Sequence, residues 1–388
     1  MKVKRIFSSL VLCLGLTLGL FWLLTGDPPA VVRAGTFDVT NDAASGSGSL
    51  RQAILDANNA SGHDTISFSI TGTIELTDSL PTIADDLSIS GPGADQLAVS
   101  GQNLYQLFSV GGGETLTISG VTVRDGFAVD GGGLYVASSG AATLNETRII
   151  SNAVSGDGGG IYAEGDVYLN GSSVISNAAS HEWGSGGGMY VDQTGSAVLS
   201  DTPVLSNTAD RWGGGLCLYG GGSATLTETH VTNNEAGSSG GGLYVRNNGS
   251  SASLSGGGVT SNTAHYGGGL YVDNASATLD GTDVLSNTAN SHGGGLYATE
   301  AAEVTVAGGV VRNNMGTLYG GGLYLGSGLS LGSSTTTLNA TEVLSNSSSY
   351  GGGLYVTDAY ATLNGTKVAN NEADVSGGGI YAPQPHPV

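Results

Sequence analysis

Short runs of alternating apolar and polar residues recur along the chain after residue 130. In one example, residues 270–272 are Leu-Tyr-Val, residues 277–279 are Ala-Thr-Leu and residues 282–285 are Thr-Asp-Val-Leu. Alternation with a period of two, together with Gly, Asn or Asp between the runs, is typical of short strands joined by turns. No run within a repeat is long enough for a helix. Each repeat is therefore predicted to contain three short strands.

A glycine triplet followed by Leu, Ile or Met marks the repeat and recurs in steps of 26 to 31 residues. The triplets begin at Gly131, Gly158, Gly186, Gly213, Gly240, Gly267, Gly293, Gly320, Gly351 and Gly377. Such a period indicates a solenoid, whose parallel strands would stack about 4.8 Å apart. We predict an all-β, right-handed parallel β-helix with about ten regular rungs of ~27 residues, irregular N-terminal rungs and a short capping helix.

An asparagine column accompanies the triplets, and each Asn stands eight residues after a Leu or Val. Its members are Asn152, Asn177, Asn207, Asn234, Asn262, Asn287, Asn314, Asn346 and Asn371. Asn tolerates left-handed turns, and amides stacked at the rung spacing can hydrogen-bond to one another. We therefore expect a structural role for this column. The glycines are expected where the backbone needs a positive φ or a close approach.

The N-terminal residues have the pattern of an export signal. Basic residues at positions 2, 4 and 5 precede an apolar run over residues 6–24, and small residues follow near Ala34. Residues 1–34 are predicted to be a signal peptide, with an uncleaved anchor as the alternative because the run almost spans a bilayer.

The rest of the chain is predicted to fold as one domain with four segments. Residues 35–64 form an N-terminal cap with a short helix, because Leu50, Ile54 and Ala57 share one helical face. Irregular first rungs follow over residues 65–130 and regular repeats over residues 131–382. Residues 383–388 are a Pro-rich tail.

Two aromatic columns are the candidate binding residues. One column follows the triplets and, apart from Cys217, is made of tyrosines that strand alternation turns outward. The other column stands directly before the triplets. The candidates are Tyr244, Tyr271, Tyr297, Tyr324 and Tyr355 in the first column, and Trp212, Tyr266, Tyr319 and Tyr350 in the second. These rings could stack on sugar rings or form a flat protein contact, or they could stack on each other and stabilise the sheet.

Composition narrows the possible partners. The chain has 32 acidic and 11 basic residues and a net charge of −21, which disfavours nucleic acid and anionic membranes. Cys217 is the one cysteine after the predicted signal, so no intramolecular disulfide is expected there. The histidines fall in different columns, so we expect no metal site and no cofactor.

An enzyme acting on polysaccharide is the main alternative to a binding protein. Such chemistry needs two carboxylates at a defined separation, or a base beside a calcium held by acidic residues. Asp130 and Asp157 precede successive triplets, and Arg124 and Arg148 lie nearby in sequence. This is the best acidic and basic cluster that the sequence offers, although solvated turn residues at the less regular end of the coil are the favoured explanation.

Two motifs carry a resemblance to known families. Residues 49–54, Ser-Leu-Arg-Gln-Ala-Ile, resemble the Cys-Ser-Leu-Arg-Glu-Ala motif that opens a family of bacterial surface proteins, with Gly48 in place of the Cys. Residues 159–161 and 204–207 are similar to the Gly-Gly-Ala-Ile and Phe-x-x-Asn motifs of chlamydial polymorphic outer-membrane protein repeats. The resemblance implies a β-helix of the pectate-lyase-like superfamily at a cell surface.

From these observations we expect an exported, adhesin-like scaffold that is extracellular, secreted or cell-surface, with outer-membrane association open. It is expected to bind a polysaccharide or a surface protein through its outer face, without catalysis and without membrane insertion beyond the N-terminal segment. A polysaccharide lyase or glycoside hydrolase is the first alternative, and a purely structural spacer is the second. The sequence leaves the ligand, the means of attachment and the oligomeric state open.

Overall fold

The computed structural model describes residues 34–247, 249–327 and 332–383. These residues form a right-handed parallel β-helix of about 13 turns, which confirms the predicted fold class. The predicted signal peptide, apart from Ala34, lies outside the described residues, as does the predicted tail after Pro383.

Each regular turn contains four strands, one more than the three predicted, and the strands of successive turns pair in parallel to form four sheets. The extra strand lies between the asparagine column and the next glycine triplet. In the N-terminal turns it has only two residues, as in Ala153–Val154, which is too short to show an alternating pattern. We name the sheets after a residue that recurs in each.

The tyrosine sheet begins each turn directly after the glycine triplet. Its 11 strands are Phe108–Val110, Leu134–Val136, Ile161–Ala163, Met189–Asp192, Leu216–Tyr219, Leu243–Arg246, Leu270–Asp273, Leu296–Thr299, Leu323–Gly326, Leu354–Thr357 and Ile380–Tyr381. The leucine sheet comes next in each turn. Its 13 strands are Thr36–Val39, Asp64–Phe68, Leu87–Ser90, Thr115–Ser119, Ala141–Asn145, Asp166–Asn170, Ser196–Ser200, Ser223–Thr227, Ser251–Ser255, Ser276–Asp280, Glu303–Ala307, Thr335–Asn339 and Tyr360–Asn364.

The valine sheet follows the leucine sheet across a tight turn. Its 12 strands are Gly72–Glu75, Leu97–Ser100, Thr122–Arg124, Arg148–Ile150, Ser173–Ile175, Val204–Leu205, His230–Thr232, Gly258–Thr260, Asp283–Leu285, Val310–Arg312, Glu342–Leu344 and Lys367–Ala369. The alanine sheet leads back to the next glycine triplet. Its ten strands are Phe127–Ala128, Ala153–Val154, Ala178–Ala179, Thr208–Ala209, Glu235–Ala236, Thr263–Tyr266, Thr288–His292, Met315–Tyr319, Ser347–Tyr350 and Glu372–Ser376.

A single apolar core fills the coil from Val39 to Leu354. In one turn, the inward side chains of Leu270, Val272 and Leu279 are completely buried. Each buried side chain of this size contributes roughly 1.5 to 3 kcal/mol relative to exposure. Since a turn is covered only by its neighbours, stability is shared between adjacent turns.

The predicted capping helix covers the N-terminal end of this core. It spans Leu50–Asn59, and Ser49 is its N-cap because the Ser49 hydroxyl accepts a hydrogen bond from the Gln52 amide at 3.2 Å. The helix buries Leu50, Ala53, Ile54 and Ala57 on one face. It packs against the first two strands of the leucine sheet.

The asparagine column forms a continuous ladder in the interior, which confirms that the stacked amides bond to one another. Asn177 Nδ2 donates to Asn207 Oδ1 and to the Ile149 carbonyl, both at 3.0 Å. Asn177 Oδ1 accepts from both the backbone N–H and Nδ2 of Asn152. The expectation of left-handed turns at Asn was wrong by one residue, because the preceding residues, such as Ser151 and Ser176, have φ of 53° to 57°. The preceding residue therefore makes the turn, and the Asn side-chain amide points into the interior of the coil.

The glycine triplets occur both where the backbone has a positive φ and where another segment approaches it closely, as predicted. The first Gly of each triplet has a positive φ, for example 59° at Gly267. At the third position, a Cβ on Gly269 would lie 2.5 Å from the Gly295 carbonyl oxygen and 3.0 Å from Asn287 Nδ2. A side chain at this position would therefore push the next turn and the asparagine ladder away.

Candidate functional site

The tyrosines that follow the triplets lie on the outer side of the tyrosine sheet. Their neighbours Leu270 and Val272 belong to the main core, whereas Tyr190, Cys217 and Tyr244 form a separate apolar cluster. Strand alternation thus places the rings outside the coil, as predicted.

The rings of this tyrosine column stack on each other. Centroids of neighbouring rings are 4.5 to 5.5 Å apart, and the ring planes differ by 2° to 27°. The stacked pairs are Tyr135–Tyr162, Tyr162–Tyr190, Tyr244–Tyr271, Tyr271–Tyr297, Tyr297–Tyr324, Tyr324–Tyr355 and Tyr355–Tyr381. The ring faces are therefore occupied by one another, and the edges face outward.

Burial raises the pKa of the eight tyrosines of this column from Tyr135 to Tyr355, that of Tyr324 to about 12. The hydroxyls consequently stay protonated at physiological pH and can donate hydrogen bonds. Two of them use a carboxylate of the next turn: Tyr135 donates to Glu164 at 3.1 Å and Tyr162 to Asp192 at 3.3 Å.

Cys217 interrupts the tyrosine column, and Trp212 compensates for the missing ring. Cys217 is completely buried. The Trp212 indole packs against the cluster that contains Cys217 and stacks on Tyr244 at 4.9 Å with an interplanar angle of 6°. A residue of the second column thus adds a ring to the part of the stack that begins at Tyr244.

The second aromatic column joins the first over the C-terminal turns. His292 pairs in register with Tyr266 on one side and Tyr319 on the other, and Tyr319 pairs with Tyr350. Contacts between columns include Tyr266–Tyr297 at 5.8 Å, His292–Tyr324 at 5.1 Å, Tyr319–Tyr355 at 4.6 Å and Tyr350–Tyr381 at 5.5 Å.

All nine predicted binding residues therefore lie in one surface, which we call the aromatic band. Its members are Trp212, Tyr244, Tyr266, Tyr271, His292, Tyr297, Tyr319, Tyr324, Tyr350, Tyr355 and Tyr381. Tyr244 is only 2% exposed, and the other rings are half-buried. The band is one continuous strip on the outside of the coil.

Three side chains at the N-terminal end of the band were missed by the sequence prediction. The Arg211 guanidinium carbon lies 3.5 Å from the centroid of Trp212 and 4.6 Å from that of Trp183, and Trp183 is 58% exposed. Arg246 lies 5.6 Å from Trp212 and bonds to Asp273 at 3.0 Å. The available signal was the Arg-Trp pair at 211–212, but Trp183 precedes it by 28 residues outside the repeat columns.

Of the acidic and basic cluster proposed for an enzyme, the structure brings Asp130 and Asp157 together on neighbouring turns, but both arginines pair elsewhere. Asp130 Oδ1 accepts from the Asp157 backbone N–H and Asp157 Oδ1 from the Ser185 backbone N–H, each at 2.8 Å. These carboxylates bind the backbone of the following turn. Arg124 pairs with Asp125, and Arg148 pairs with Asp95. Burial, helped by the charge of Asp130, raises the pKa of Asp157 to about 6 against the weaker effect of the Ser185 hydrogen bond.

Within residues 34–247, 249–327 and 332–383, no group of three or more His, Cys, Asp or Glu residues is arranged to hold a metal ion. Among the helices of those ranges, none has the length and apolar character needed to cross a membrane.

Comparison with known proteins agrees with the observed fold. Residues 106–250 match the family model of the right handed beta helix region, so the chain contains a segment of this class. No curated protein matches the chain.

Two solved structures are similar at low identity. The catalytic unit of the thermostable GH87 alpha-1,3-glucanase from Streptomyces thermodiastaticus strain HF3-3 has 14% identity and a TM-score of 0.42, over 90% of this chain and 70% of that one. The A-module of the Azotobacter vinelandii mannuronan C-5 epimerase AlgE6 has 15% identity and a TM-score of 0.39, over 90% of this chain and 100% of that one.

Proposed function

We propose that this chain is an exported, adhesin-like scaffold that binds a protein partner through the aromatic band. The observation that carries the proposal is the fusion of two aromatic columns into one half-buried strip over the C-terminal turns. At one rung spacing per turn, the strip from Trp212 to Tyr381 is about 29 Å long. Contiguous aromatic surface that stays partly accessible in this way is typical of interaction sites.

The orientation of the rings favours a protein over a sugar as the partner. Stacking on a sugar needs an open ring face, but the faces in the first column are occupied by neighbouring tyrosines. Ring edges and hydroxyls remain outside. Rigid tyrosines of this kind supply large contact areas at a low entropy cost, as they do in antibody paratopes.

Export and the surface location are part of the proposal. They are supported by the signal-like pattern of residues 1–34 and by the resemblance of residues 49–54 to the opening motif of bacterial surface proteins. The polysaccharide lyase or hydrolase reading has less support, because Asp130 and Asp157 bind backbone and neither of the nearby arginines pairs with them.

The test is binding of the purified protein to arrays of immobilised extracellular proteins and of glycans. The variant Tyr319→Ala/Tyr350→Ala removes two half-buried rings of the second column. The control Tyr168→Ala/Tyr360→Ala removes two tyrosines of the leucine sheet that are 39% and 68% exposed. We expect protein binding that falls at least ~10-fold in the band variant and is kept by the control. Binding confined to glycans would contradict the protein proposal, and equal protein binding by both variants would place the contact outside the aromatic band. Binding to neither array would favour the spacer alternative.

A further inference from the structure

The N-terminal end of the aromatic band contains an arginine whose charge is not paired. Among the described residues, five basic side chains have polar partners: Arg51, Arg124, Arg148, Arg246 and Lys367. Four of them pair with carboxylates. Among the described residues, the side chains of Arg211 and Arg312 have neither a carboxylate nor a hydrogen-bond partner, and of these two only Arg211 lies over aromatic rings. What distinguishes Arg211 is therefore an unpaired guanidinium that two tryptophans hold in place.

Neighbouring turns hold this arginine in place. The Arg211 backbone N–H donates to the Gly184 carbonyl at 2.9 Å, which ties Arg211 to the segment that presents Trp183. The Trp183 indole N–H donates to Glu182 at 2.8 Å. The guanidinium then lies over both Trp183 and Trp212. Little side-chain freedom remains to be lost when a ligand binds.

Ring contacts at its faces leave the edge of the guanidinium available. The N–H donors of Arg lie in the plane of the group, in a fork that matches the two oxygens of a carboxylate. The exposed Trp183 ring adds apolar area beside this fork. Arg246 also lies near Trp212, at 5.6 Å from its centroid, but its charge is paired with Asp273, so Arg211 supplies the free charge of the cluster. The chemistry therefore suits a carboxylate that is carried next to an apolar group.

We propose that Trp183, Arg211 and Trp212 form a recognition site for an acidic segment of a protein partner, whose carboxylate pairs with the edge of Arg211. This inference rests on the proposed function, since it specifies the partner of the same surface. Trp and Arg are the residue types that dominate binding hot spots. The net negative charge of the chain opposes the approach of acidic partners, but at physiological salt its reach is limited to about 8 Å.

The test uses the full chain with Trp22→Phe, so that only Trp183 and Trp212 contribute tryptophan fluorescence. A phage-displayed library of random peptides is selected on this protein, and the enriched peptides are synthesised. We expect enrichment of Asp or Glu beside apolar residues, with a change in fluorescence on binding. Arg211→Gln is expected to weaken binding by about 10-fold or more, in line with loss of a charged hydrogen bond. The matched control Arg312→Gln changes an exposed arginine of the valine sheet and should bind as the parent does.

Three results would overturn this inference. They are selected peptides without acidic enrichment, equal binding by the Arg211→Gln protein, and binding of acidic oligosaccharides but not of peptides. The proposed function fails separately, if Tyr319→Ala/Tyr350→Ala leaves binding to the protein array unchanged while the peptides still require Arg211.

Discussion

The asparagine ladder and the tyrosine column are both stacks of one residue type at the rung spacing, but the ladder lies inside the coil and the column lies outside it. The ladder is inside the coil, where Asn177 forms hydrogen bonds with two other asparagines and with the backbone. The tyrosine column is outside and accommodates Cys217, with Trp212 supplying a ring. The contrast shows that the inner stack, which is held by directed hydrogen bonds, has the same residue type in all nine turns. The outer stack of rings, in contrast, tolerates the replacement of a tyrosine by Cys217.

The largest expected effect on the free energy of unfolding comes from removing one amide of the asparagine ladder. Asn177→Ala removes the acceptor of the Asn152 backbone N–H and the donor to the Ile149 carbonyl, and both groups are buried. At roughly 1 to 3 kcal/mol per unsatisfied group, the free energy of unfolding should fall by about 4 kcal/mol. Urea denaturation followed by circular dichroism measures this change.

The control for this ladder variant lies in the same turn. Asn170 also bonds to an asparagine, Asn145 at 3.0 Å, but this pair is exposed. Asn170→Ala should change the unfolding free energy by less than about 0.5 kcal/mol. Similar losses in the two variants would show that burial is not what distinguishes the ladder.

A smaller effect is expected for the outer stack. Tyr297→Ala removes ring contacts to Tyr271 at 4.8 Å and to Tyr324 at 4.5 Å. With about 1 kcal/mol for each stacked pair, the unfolding free energy should decrease by about 2 kcal/mol. Tyr360→Ala, on a ring that is 68% exposed, is the control and should be nearly neutral. A loss for Tyr297→Ala as large as for Asn177→Ala would remove the proposed difference between the stacks.

The sequence predicted those parts of the molecule that repeat in every turn. The rung period, the inward Leu and Val, the outward Tyr and the amide ladder follow from alternation and spacing, which are local. The fourth strand was missed because two residues such as Ala153 and Val154 show no period. The left-handed turn was predicted at Asn, but it lies at the preceding residue. The side chain that forms the hydrogen bonds and the backbone that turns therefore belong to adjacent residues.

The details of the candidate site were less accessible, because they depend on irregular features. Cys217 leaves the tyrosine column without a ring in one turn, and the Trp212 side chain packs there from the neighbouring column. The contact between Arg211 and Trp183 joins neighbouring turns through a segment that no other repeat shares. Sequence columns predict which residues share a face, but they do not predict such side-chain packing.

At neutral pH the smallest expected effect is that of His292, which develops only in acid and again separates the two stacks. The asparagine ladder does not titrate, whereas the aromatic band contains His292, whose pKa is lowered to about 4 by burial and by the charge of His265. Because the unfolded chain takes up a proton near its ordinary pKa of 6.5 and the folded chain does not, acidification favours unfolding. Stability should therefore fall as the pH drops from about 6.5 towards 4. Thermal unfolding of His292→Gln should show a weaker dependence in this pH window than the parent, and an unchanged dependence would place the acid-sensitive group elsewhere.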